Sequence, residues 1–251
     1  MGNKYLEWIG TGSGLNFTLG NTSFLIKGGE RILLVDCGYT VPLELMKSGQ
    51  LKDITDVILT HTHADHIGGI EGFAYMNYFA FKKREDQRPN LYIATEKFAQ
   101  RLWNNSLKGG LEKIQDEENI PQNVTLDTYF KIHIGKQIDI LGLPTATLFP
   151  ASHVQGMENY GVSFDNGVWY SGDSLDLPKN NSKLIFQDCQ FYETIADVHV
   201  SYNRLKQELS PDVKAKTYLV HLGGGWEQKN PKADGFAGFV MPKQRFDLES
   251  L

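Results

Sequence analysis

Cysteine is the first residue type that the chain has little of. Its 251 residues include only two cysteines, Cys37 and Cys189, which lie far apart in the sequence. Two distant thiols argue against a disulfide framework and against a zinc site built from cysteine. We therefore expect both side chains to behave as small buried hydrophobic groups.

Long hydrophobic runs are also missing. No apolar stretch approaches the roughly 18 to 20 residues that a membrane-spanning helix needs. The segment Met1–Trp8 lacks both the basic part and the apolar part of a signal peptide. The sequence therefore predicts a cytoplasmic protein that makes no use of a membrane.

Basic charge is in deficit as well. The 25 lysine and arginine residues are outnumbered by 30 aspartate and glutamate residues, so the formal net charge is −5. The densest basic run, Lys82–Arg84, is followed directly by Glu85 and Asp86. Proteins that bind long polyanions take most of their affinity from basic surfaces. Polymeric nucleic acid is thus not the expected partner.

Hydrophobic patterning predicts an α/β fold with a single domain over residues 1–251. The predicted strands include Tyr5–Ile9, Thr22–Lys27, Arg31–Val35, Asp56–Leu59, Gln137–Leu143, Val168–Tyr170, Phe186–Phe191 and Thr217–Leu222. The predicted helices include Val41–Ser48, Ile67–Phe81, Thr95–Leu107 and Ser201–Leu209. The polar stretch Glu112–Asn123 is predicted to be an exposed helix and loop, and Asp165–Gly167 a hairpin turn.

Three histidines and one aspartate lie within six positions, directly after a predicted strand: His61, His63, Asp65 and His66. The end of a buried strand that leads into a helix is where α/β proteins place ligand-binding loops. Imidazole and carboxylate groups suit zinc and similar divalent ions. Burying three imidazoles without a metal would leave polar atoms that need other partners. The segment therefore predicts a metal site.

Three further residues follow predicted strands. His153 and His221 each come after an apolar strand, and Asp173 comes shortly after Val168–Tyr170. Loops at strand ends converge, so we expect these residues to join the first cluster in a two-metal ligand set. His133 alternates within a strand and is interpreted as structural.

The H-x-H-x-D-H loop, with its later His, Gly-Asp and final His, resembles the metallo-β-lactamase superfamily over nearly the whole chain. That resemblance implies an αβ/βα sandwich with two metal ions at one edge, between two sheets. It implies a first ion held by His61, His63 and His153, and a second held by Asp65, His66 and His221, with Asp173 bridging. It also implies that Asp36 braces the metal loop. The ligand set suits two zinc ions, with manganese left open.

The segment Gly10–Gly14 and the later Asn21 resemble the glycine loop of the tRNA 3′-processing endonuclease branch of this superfamily. A glycine loop can cradle phosphate through backbone N–H groups. Ser13 and Asn21 are therefore candidate substrate contacts. A plain connection between strands is the alternative interpretation.

His199 is a second feature that resembles this branch. It lies between the expected bridging aspartate and the last ligand, where the branch has a non-ligand histidine that assists departure of the leaving oxygen. Asp188 stands where the branch has an acidic residue able to orient that histidine. A surface histidine is the alternative interpretation.

The departures from that branch point to a smaller substrate. The branch has a long, basic tRNA-binding arm that this chain lacks, and Val200–Ser201 stands where the branch has a Ser-Thr pair. In its compact size and in the segments Trp8–Ser13, Asp197–Tyr202 and Tyr218–His221, the chain most resembles the anti-Pycsar proteins of phages and bacteria. This resemblance implies a phosphodiesterase, often homodimeric, that converts 3′,5′-cyclic mononucleotides to 5′-monophosphates and defeats cyclic-nucleotide antiphage signalling.

The implied chemistry gives two residues a role. Asp65 would orient or deprotonate the nucleophile, and His199 would protonate the leaving 3′ oxygen. The base would need an apolar or aromatic slot, for which the candidates are Trp226, Phe236 and Phe239. Three alternatives stay open: a tRNA 3′ endonuclease without its arm, a lactonase or thioesterase on the same scaffold, and a metal-binding or nucleotide-sensing module without activity.

Overall fold

The structure is a computed structural model that describes residues 4–115, 119–178, 181–192 and 197–251. Within these ranges the strands form two seven-stranded sheets and one two-stranded ribbon. In chain order the strands are β1 (Tyr5–Gly10), β2 (Ser23–Gly28), β3 (Arg31–Val35), β4 (Asp56–Ile58), β5 (Asn90–Ile93), β6 (Lys113–Gln115), β7 (Pro121–Asn123), β8 (Lys131–Ile134), β9 (Gln137–Ile138), β10 (Ala146–Pro150), β11 (Tyr160–Phe164), β12 (Val168–Tyr170), β13 (Leu184–Asp188), β14 (Thr217–Val220), β15 (Gly238–Phe239) and β16 (Arg245–Asp247).

Short helices connect these strands. The α-helices are α1 (Val41–Lys47), α2 (Ala64–Ile67), α3 (Ile70–Tyr75), α4 (Glu96–Leu102), α5 (Lys108–Leu111), α6 (Leu126–Tyr129), α7 (Tyr202–Glu208) and α8 (Pro211–Lys214). Single 3₁₀ turns occur at Leu51–Asp53, Glu85–Gln87 and Trp226–Gln228, and π-helical turns at Met76–Ala80 and Trp103–Leu107. Among the described residues, none of the helices combines the length and the apolar character needed to cross a bilayer.

The first sheet has the strand order β16–β1–β2–β3–β4–β5–β8. Strands β1 to β3 are antiparallel neighbours, and a tight turn with Gly29 at a φ of 62° joins β2 to β3. From β3 to β8 the neighbours run parallel, with helical segments carrying the chain back between successive strands. Parallel strands end at one edge, so the segments that follow β3 and β4 lie side by side.

The second sheet has the strand order β15–β14–β13–β12–β11–β10–β9. The predicted hairpin turn at Asp165–Gly167 joins β11 to β12, with Gly167 at a φ of 96°. Strands β12, β13 and β14 run parallel, so their carboxyl ends share one edge. Those ends lead to Asp173, Asp188 and His221.

The two sheets pack face to face through aromatic side chains. Trp8 of β1 is fully buried, and its ring lies 6.0 Å from that of Tyr170 on β12 and 5.0 Å from that of Phe186 on β13, both edge to face. Such aromatic pairs add about 0.5–1.5 kcal/mol each beyond the area that they bury. Cys37 and Cys189 are both buried and unpaired, as predicted.

The second sheet is buried on its outer face as well. Side chains alternate along a strand, so Trp169, Ile185 and Leu219 point away from the first sheet. They form a second apolar cluster with Leu205 of α7 and Val213 of α8. The layers are therefore helix, sheet, sheet and helix, which agrees with the predicted α/β sandwich.

The helix predicted over Ile67–Phe81 is interrupted. Gly68 and Gly69 separate α2 from α3, and the backbone N–H of Gly69 donates to Cys37 O at 2.8 Å. A Cβ at Gly69 would lie 2.3 Å from Gly38 O. The break therefore lets the end of the histidine loop pack directly against the segment after β3.

The prediction for Glu112–Asn123 was wrong where the structure describes the segment. Residues 113–115 and 121–123 pair as the antiparallel strands β6 and β7, and residues 116–118 lie outside the described ranges. Ile114 is buried between two exposed neighbours, which is the period-two pattern of a strand. The high polarity around this single apolar residue hid the alternation.

Candidate metal centre

The first group of candidate ligands lies where three loops meet. It comprises His61 and His63 from the loop after β4, His153 after β10 and Asp173 after β12, and their donor atoms all lie within 4.8 Å of one another. Nδ1 of His63 is 3.1 Å from Nε2 of His61 and 3.2 Å from Nε2 of His153. Three imidazoles this close, with a carboxylate beside them, are the donor set of a divalent metal.

A second group lies beside the first and shares Asp173 with it. It comprises Asp65 and His66 at the start of α2, Asp173, and His221 after β14, again with donor atoms within 4.8 Å. Nε2 of His66 is 3.2 Å from Oδ1 of Asp173, and Nε2 of His221 is 3.5 Å from Oδ2 of Asp173. Nε2 of His61, in the first group, is 3.7 Å from Oδ2 of the same aspartate, so the shared carboxylate contacts both groups.

Asp36 holds the histidine loop from behind. Its carboxylate accepts hydrogen bonds from the backbone N–H of Thr60 at 2.8 Å, from the Thr60 hydroxyl at 2.8 Å and from Nδ1 of His66 at 2.8 Å. Oγ1 of Thr60 also lies 3.1 Å from Nδ1 of His61. Asp36 adopts a left-handed φ of 60°, which is strained for a residue with a Cβ and persists because these contacts fix it.

The remaining histidines are oriented in the same way. Nδ1 of His153 donates to the carbonyl oxygen of Val198 at 2.6 Å, and Nδ1 of His221 is 3.2 Å from Oδ1 of Asp188. A ring nitrogen that donates a proton leaves the lone pair of the other nitrogen free for a ligand bond. Nε2 is therefore the ring nitrogen left to bind a metal in four of the histidines, and it lies toward the centre of the cluster: His61, His66, His153 and His221.

His199 lies beside the two groups and is not one of the five histidines and two aspartates expected as metal ligands, although its donor atoms cluster with those of Asp173, Asp188 and His221. Its Nδ1 is 2.7 Å from Oδ2 of Asp188, and its ring stacks on that of His221 with 4.8 Å between centroids. Asp188 is itself fixed, because the backbone N–H of Ser174 donates to its Oδ2 at 2.8 Å. Burial lowers the pKa of His199, but the neighbouring Asp188 outweighs it and raises the pKa above the ordinary value.

Two buried polar atoms test whether a cation fits here. Nε2 of His66 and Oδ1 of Asp173 have no hydrogen-bond partner among the described residues, although they lie close together. A buried polar atom without a partner costs about 1–3 kcal/mol, and a cation between the two would satisfy both. Burial and the charge of His66 lower the pKa of His61 well below its usual range, whereas the neighbouring carboxylates, Asp173 first among them, together outweigh burial and raise the pKa of His66 and of His221, so a metal binding there would displace protons. The residues present therefore fit a divalent-metal site.

The centre opens into a cavity of about 330 Å³. His63, Asp65, Asp173, His199 and His221 line its inner end. The rest of the lining consists of two glycine-rich segments and four larger side chains: Ser13, Gly14, Leu15, Gln190, Tyr192, Gly223 and Gly224. A larger cavity, of about 780 Å³, lies beside Phe149 and Trp169 on the second sheet, and none of the clustered histidines lines it.

The structure places only one of the two expected substrate contacts, Ser13 and Asn21, at the cavity. Ser13 lines the cavity, but Asn21 does not. Asn21 is buried, and its Oδ1 accepts a hydrogen bond from the backbone N–H of Thr40 at 2.9 Å. Its position supports a role in holding the segment before α1 and does not support a substrate contact.

The aromatic residues expected to form a base slot also lie elsewhere. Phe236 is buried against Tyr202, and Trp226 packs edge to face on Phe239 with 5.4 Å between centroids. None of the three lines the cavity beside the histidines. His133 is structural as interpreted, since its ring stacks on Tyr92 of β5.

Comparison with known proteins identifies a family to which the chain is similar. A family model described as anti-Pycsar protein Apyc1 matches residues 5–246. The chain is similar to the anti-Pycsar protein Apyc1 of Paenibacillus harenae, with 30% identity over 97% of this chain and 100% of that protein. It is also similar to the anti-Pycsar protein Apyc1 of Bacillus phage 010DV004, with 33% identity over 97% of this chain and 98% of that protein.

Among solved structures, the chain is similar to the metallo-β-lactamase fold protein YhfI from Bacillus subtilis. The TM-score is 0.75 at 18% identity, over 98% of this chain and 100% of that one. At this identity the likeness concerns the fold alone. It confirms the metallo-β-lactamase sandwich that the histidine loop predicted.

Proposed function

The chain belongs to the family of the anti-Pycsar protein Apyc1, and from this premise we propose that it is a metal-dependent phosphodiesterase that hydrolyses 3′,5′-cyclic mononucleotides to 5′-monophosphates. One observation carries the proposal. Two ligand groups share Asp173, and His199, held by Asp188, stands beside them at the inner end of a small cavity. This arrangement supplies ligands for a metal pair and a separate proton donor in one place.

Two divalent ions would occupy the two groups. His61, His63 and His153 would hold the first, Asp65, His66 and His221 the second, and Asp173 would bridge them. Zinc suits these nitrogen and oxygen donors, and manganese is the alternative. When bound, such ions supply a nucleophilic hydroxide near neutral pH and offset the negative charge of the phosphate.

Asp65 and His199 would handle the protons. The carboxylate of Asp65 lines the cavity, where it can orient the attacking water or accept its proton. As water attacks phosphorus, the bond from phosphorus to the 3′ oxygen breaks, and that alkoxide needs a proton. His199 would donate it from Nε2, because its Nδ1 is engaged by Asp188. The product is a 5′-monophosphate with a free 3′ hydroxyl.

Cavity size and charge favour a mononucleotide over a polymer. A volume of about 330 Å³ is at the lower end of the range for small-molecule sites. The net charge of −5 gives no general attraction for a long polyanion. Ser13, at the rim of the glycine loop, is the candidate contact for the sugar or phosphate.

The names of the relatives suggest the biological role. We infer that the protein acts in the cytoplasm and removes a cyclic-nucleotide signal of antiphage defence, as the name anti-Pycsar implies for its relatives. The inference is checked by expressing the chain in cells that carry a cyclic-nucleotide defence system and following both the nucleotide pool and phage growth. An unchanged nucleotide pool would count against it.

We also propose that the chain is a homodimer. Phe17 and Tyr39 are exposed, with 5.8 Å between their ring centroids, and Leu43 and Met46 are exposed on the adjacent helix α1. Exposed apolar side chains on neighbouring segments are candidates for such an interface. Sedimentation equilibrium should give twice the chain mass for the unmodified protein and a single chain mass for Leu43→Glu, whereas Leu141→Glu, at an exposed residue elsewhere, should remain dimeric.

The central experiment is a substrate screen with metal-analysed protein. Cyclic mononucleotides, cyclic dinucleotides, precursor tRNA and a lactone are offered, and products are identified by chromatography. Turnover of cyclic mononucleotides to 5′-monophosphates is expected, and it should be lost in His66→Ala but retained in His133→Ala, a histidine outside the centre. Cleavage of tRNA or lactone in place of cyclic mononucleotides would replace the proposal with one of the alternatives.

A further inference from the structure

The cavity beside the metal centre has only two large apolar side chains in its described lining, Leu15 and Tyr192. Both are well exposed, at 88% and 53%. The remaining lining outside the metal centre is glycine or short polar groups. An aromatic and an aliphatic side chain at the mouth of a polar cavity offer an apolar contact to a ligand that enters it.

Tyr192 follows two residues that are fixed in the fold. Its neighbour Phe191 packs into the second apolar cluster, with ring centroids 5.8 Å from Tyr202 and 5.7 Å from Phe239. The backbone of Gln190 bonds to Val200 O and to Tyr202 N at 3.0 and 2.8 Å. The backbone is therefore fixed directly before Tyr192, which places this residue at the cavity.

Leu15 is anchored in a comparable way. It lies in a turn closed by the bond from Asn16 N to Ser13 O at 2.9 Å. The side-chain amide of Asn16 donates to Leu222 O at 2.8 Å, one residue after His221. The turn is thus fixed to the same strand end that carries a candidate metal ligand.

The glycines bring bare backbone close to the residues of the metal centre and leave open space beside Gly224. A Cβ at Gly14 would lie 3.1 Å from Oδ2 of Asp65, and one at Gly223 would lie 3.4 Å from Oγ of Ser13. A Cβ at Gly224 would meet nothing within 4 Å, so the space beside it is open. Outside the histidines of the inner end, Tyr192 and Leu15 are the large apolar groups in the described lining that an aromatic ring could contact.

We propose that Tyr192 and Leu15 form the subsite for the nucleobase, with the ring of Tyr192 as the stacking face. The inference rests on the proposed function, since it takes the phosphodiester to lie at the metal centre and the base to extend toward the cavity mouth. Stacking on an aromatic residue is sensitive to truncation and insensitive to the loss of a hydroxyl. Tyr192→Ala and Tyr192→Phe should therefore differ.

The kinetic test compares cyclic AMP with 1-O-methyl-ribose 3′,5′-cyclic phosphate, which has no base. Tyr192→Ala is expected to raise KM for cyclic AMP about 5- to 100-fold with a small change in kcat, and to reduce the preference for cyclic AMP over the abasic compound by the same factor. Tyr192→Phe should restore KM to within about threefold of the unmodified protein. Leu15→Ala should have a smaller effect in the same direction.

Two substitutions outside the cavity serve as matched controls. Phe79→Ala removes an aromatic ring of comparable exposure, and Leu141→Ala removes an exposed leucine. Neither should alter the preference. If Tyr192→Ala leaves the preference for cyclic AMP intact, the subsite inference is overturned while the proposed function stands.

A binding measurement separates the two proposals fully. A non-hydrolysable cyclic AMP phosphorothioate is titrated calorimetrically into metal-loaded unmodified protein and into Tyr192→Ala. Tighter binding to the unmodified protein by about 5- to 100-fold supports the inference without any need for turnover. Equal binding to both overturns the subsite alone, and no binding to either overturns the subsite together with the proposed function.

Discussion

His199 and Asp188 are joined by a hydrogen bond of 2.7 Å between Nδ1 of the imidazole and Oδ2 of the carboxylate. The bond fixes the ring and commits Nδ1 to the carboxylate, so that Nε2 is the nitrogen available for proton transfer. Nothing in this pair requires a metal ion to hold it. The proposed role of His199 as proton donor can therefore be tested separately from the candidate metal ligands.

Replacing His199 should lower kcat more for a substrate with a poor leaving group than for one with a good leaving group. His199→Ala is expected to lower kcat for a cyclic mononucleotide about 10²- to 10⁴-fold, because an alkoxide leaves poorly without a proton. The loss should be much smaller for bis(p-nitrophenyl) phosphate, whose phenolate needs no proton. Steady-state kinetics with both substrates and metal analysis of the variant make the comparison. Equal losses, or loss of metal, would contradict a role as general acid.

Asp188 should matter for metal affinity as well as for proton transfer. Its Oδ1 lies 3.2 Å from Nδ1 of His221, while its Oδ2 holds His199. Asp188→Asn is expected to match His199→Ala in kcat and also to weaken metal binding about 10- to 100-fold, measured by competition with a chromogenic chelator. Asp165→Asn, in the hairpin turn, is the control. Unchanged metal affinity in Asp188→Asn would mean that His221 is oriented by other contacts.

The predictable part of the centre comes from residues at strand ends. A run of apolar residues followed by histidine or aspartate identifies both a strand and the point where it leaves the sheet, as at His61 and His221. These are local properties of the chain. Parallel neighbours in one sheet end at the same edge, which is enough to anticipate that Asp173 after β12 and His221 after β14 lie close together. The contact between His61 on the first sheet and Asp173 on the second depends on how the two sheets pack.

The unpredictable part depends on contacts between distant segments. Asn21 resembled a substrate contact, but it is used by the backbone of Thr40, which no local pattern indicates. Phe236 was predicted as a base contact, but the segment after β14 packs its ring against Tyr202. Tyr192 had one available signal, an aromatic residue shortly after the strand that carries Asp188. Its exposure at the cavity could be read only from the fold.

Asp36 should contribute mainly to stability. It is buried and accepts three hydrogen bonds, from two groups of Thr60 and from His66. Asp36→Ala leaves these donors unpaired and places alanine at a left-handed φ, so we expect a loss of about 2–4 kcal/mol in the free energy of unfolding. Urea denaturation of metal-free protein measures it. Asp36→Asn, which tolerates this backbone conformation, should lose less, and a loss below about 1 kcal/mol in Asp36→Ala would contradict the bracing role.

Metal removal should change stability as well as activity. Chelation is expected to abolish turnover and to lower the melting temperature, because ions that bind only the folded chain stabilise it by about 2.7 kcal/mol at 100 times their Kd. Addition of zinc or manganese should restore both properties. His133→Ala should show the same metal-dependent shift, while His66→Ala should show a smaller one. A melting temperature that stays the same after chelation and after metal addition would argue against a metal centre.

Gly14 should be required for the position of Asp65. A Cβ at this residue would lie 3.1 Å from Oδ2 and 3.2 Å from Cγ of Asp65, closer than such contacts normally are, so the carboxylate would have to move by a few tenths of an ångström. Small displacements of a catalytic group lower the rate, so we expect Gly14→Ala to lower kcat about 3- to 10-fold. Its melting temperature should be unaffected, because Gly14 is not among the residues with a positive φ. Gly109→Ala, where a Cβ meets nothing within 4 Å, is the control. Full activity in Gly14→Ala would show that Asp65 tolerates displacement and is not the residue that orients the nucleophile.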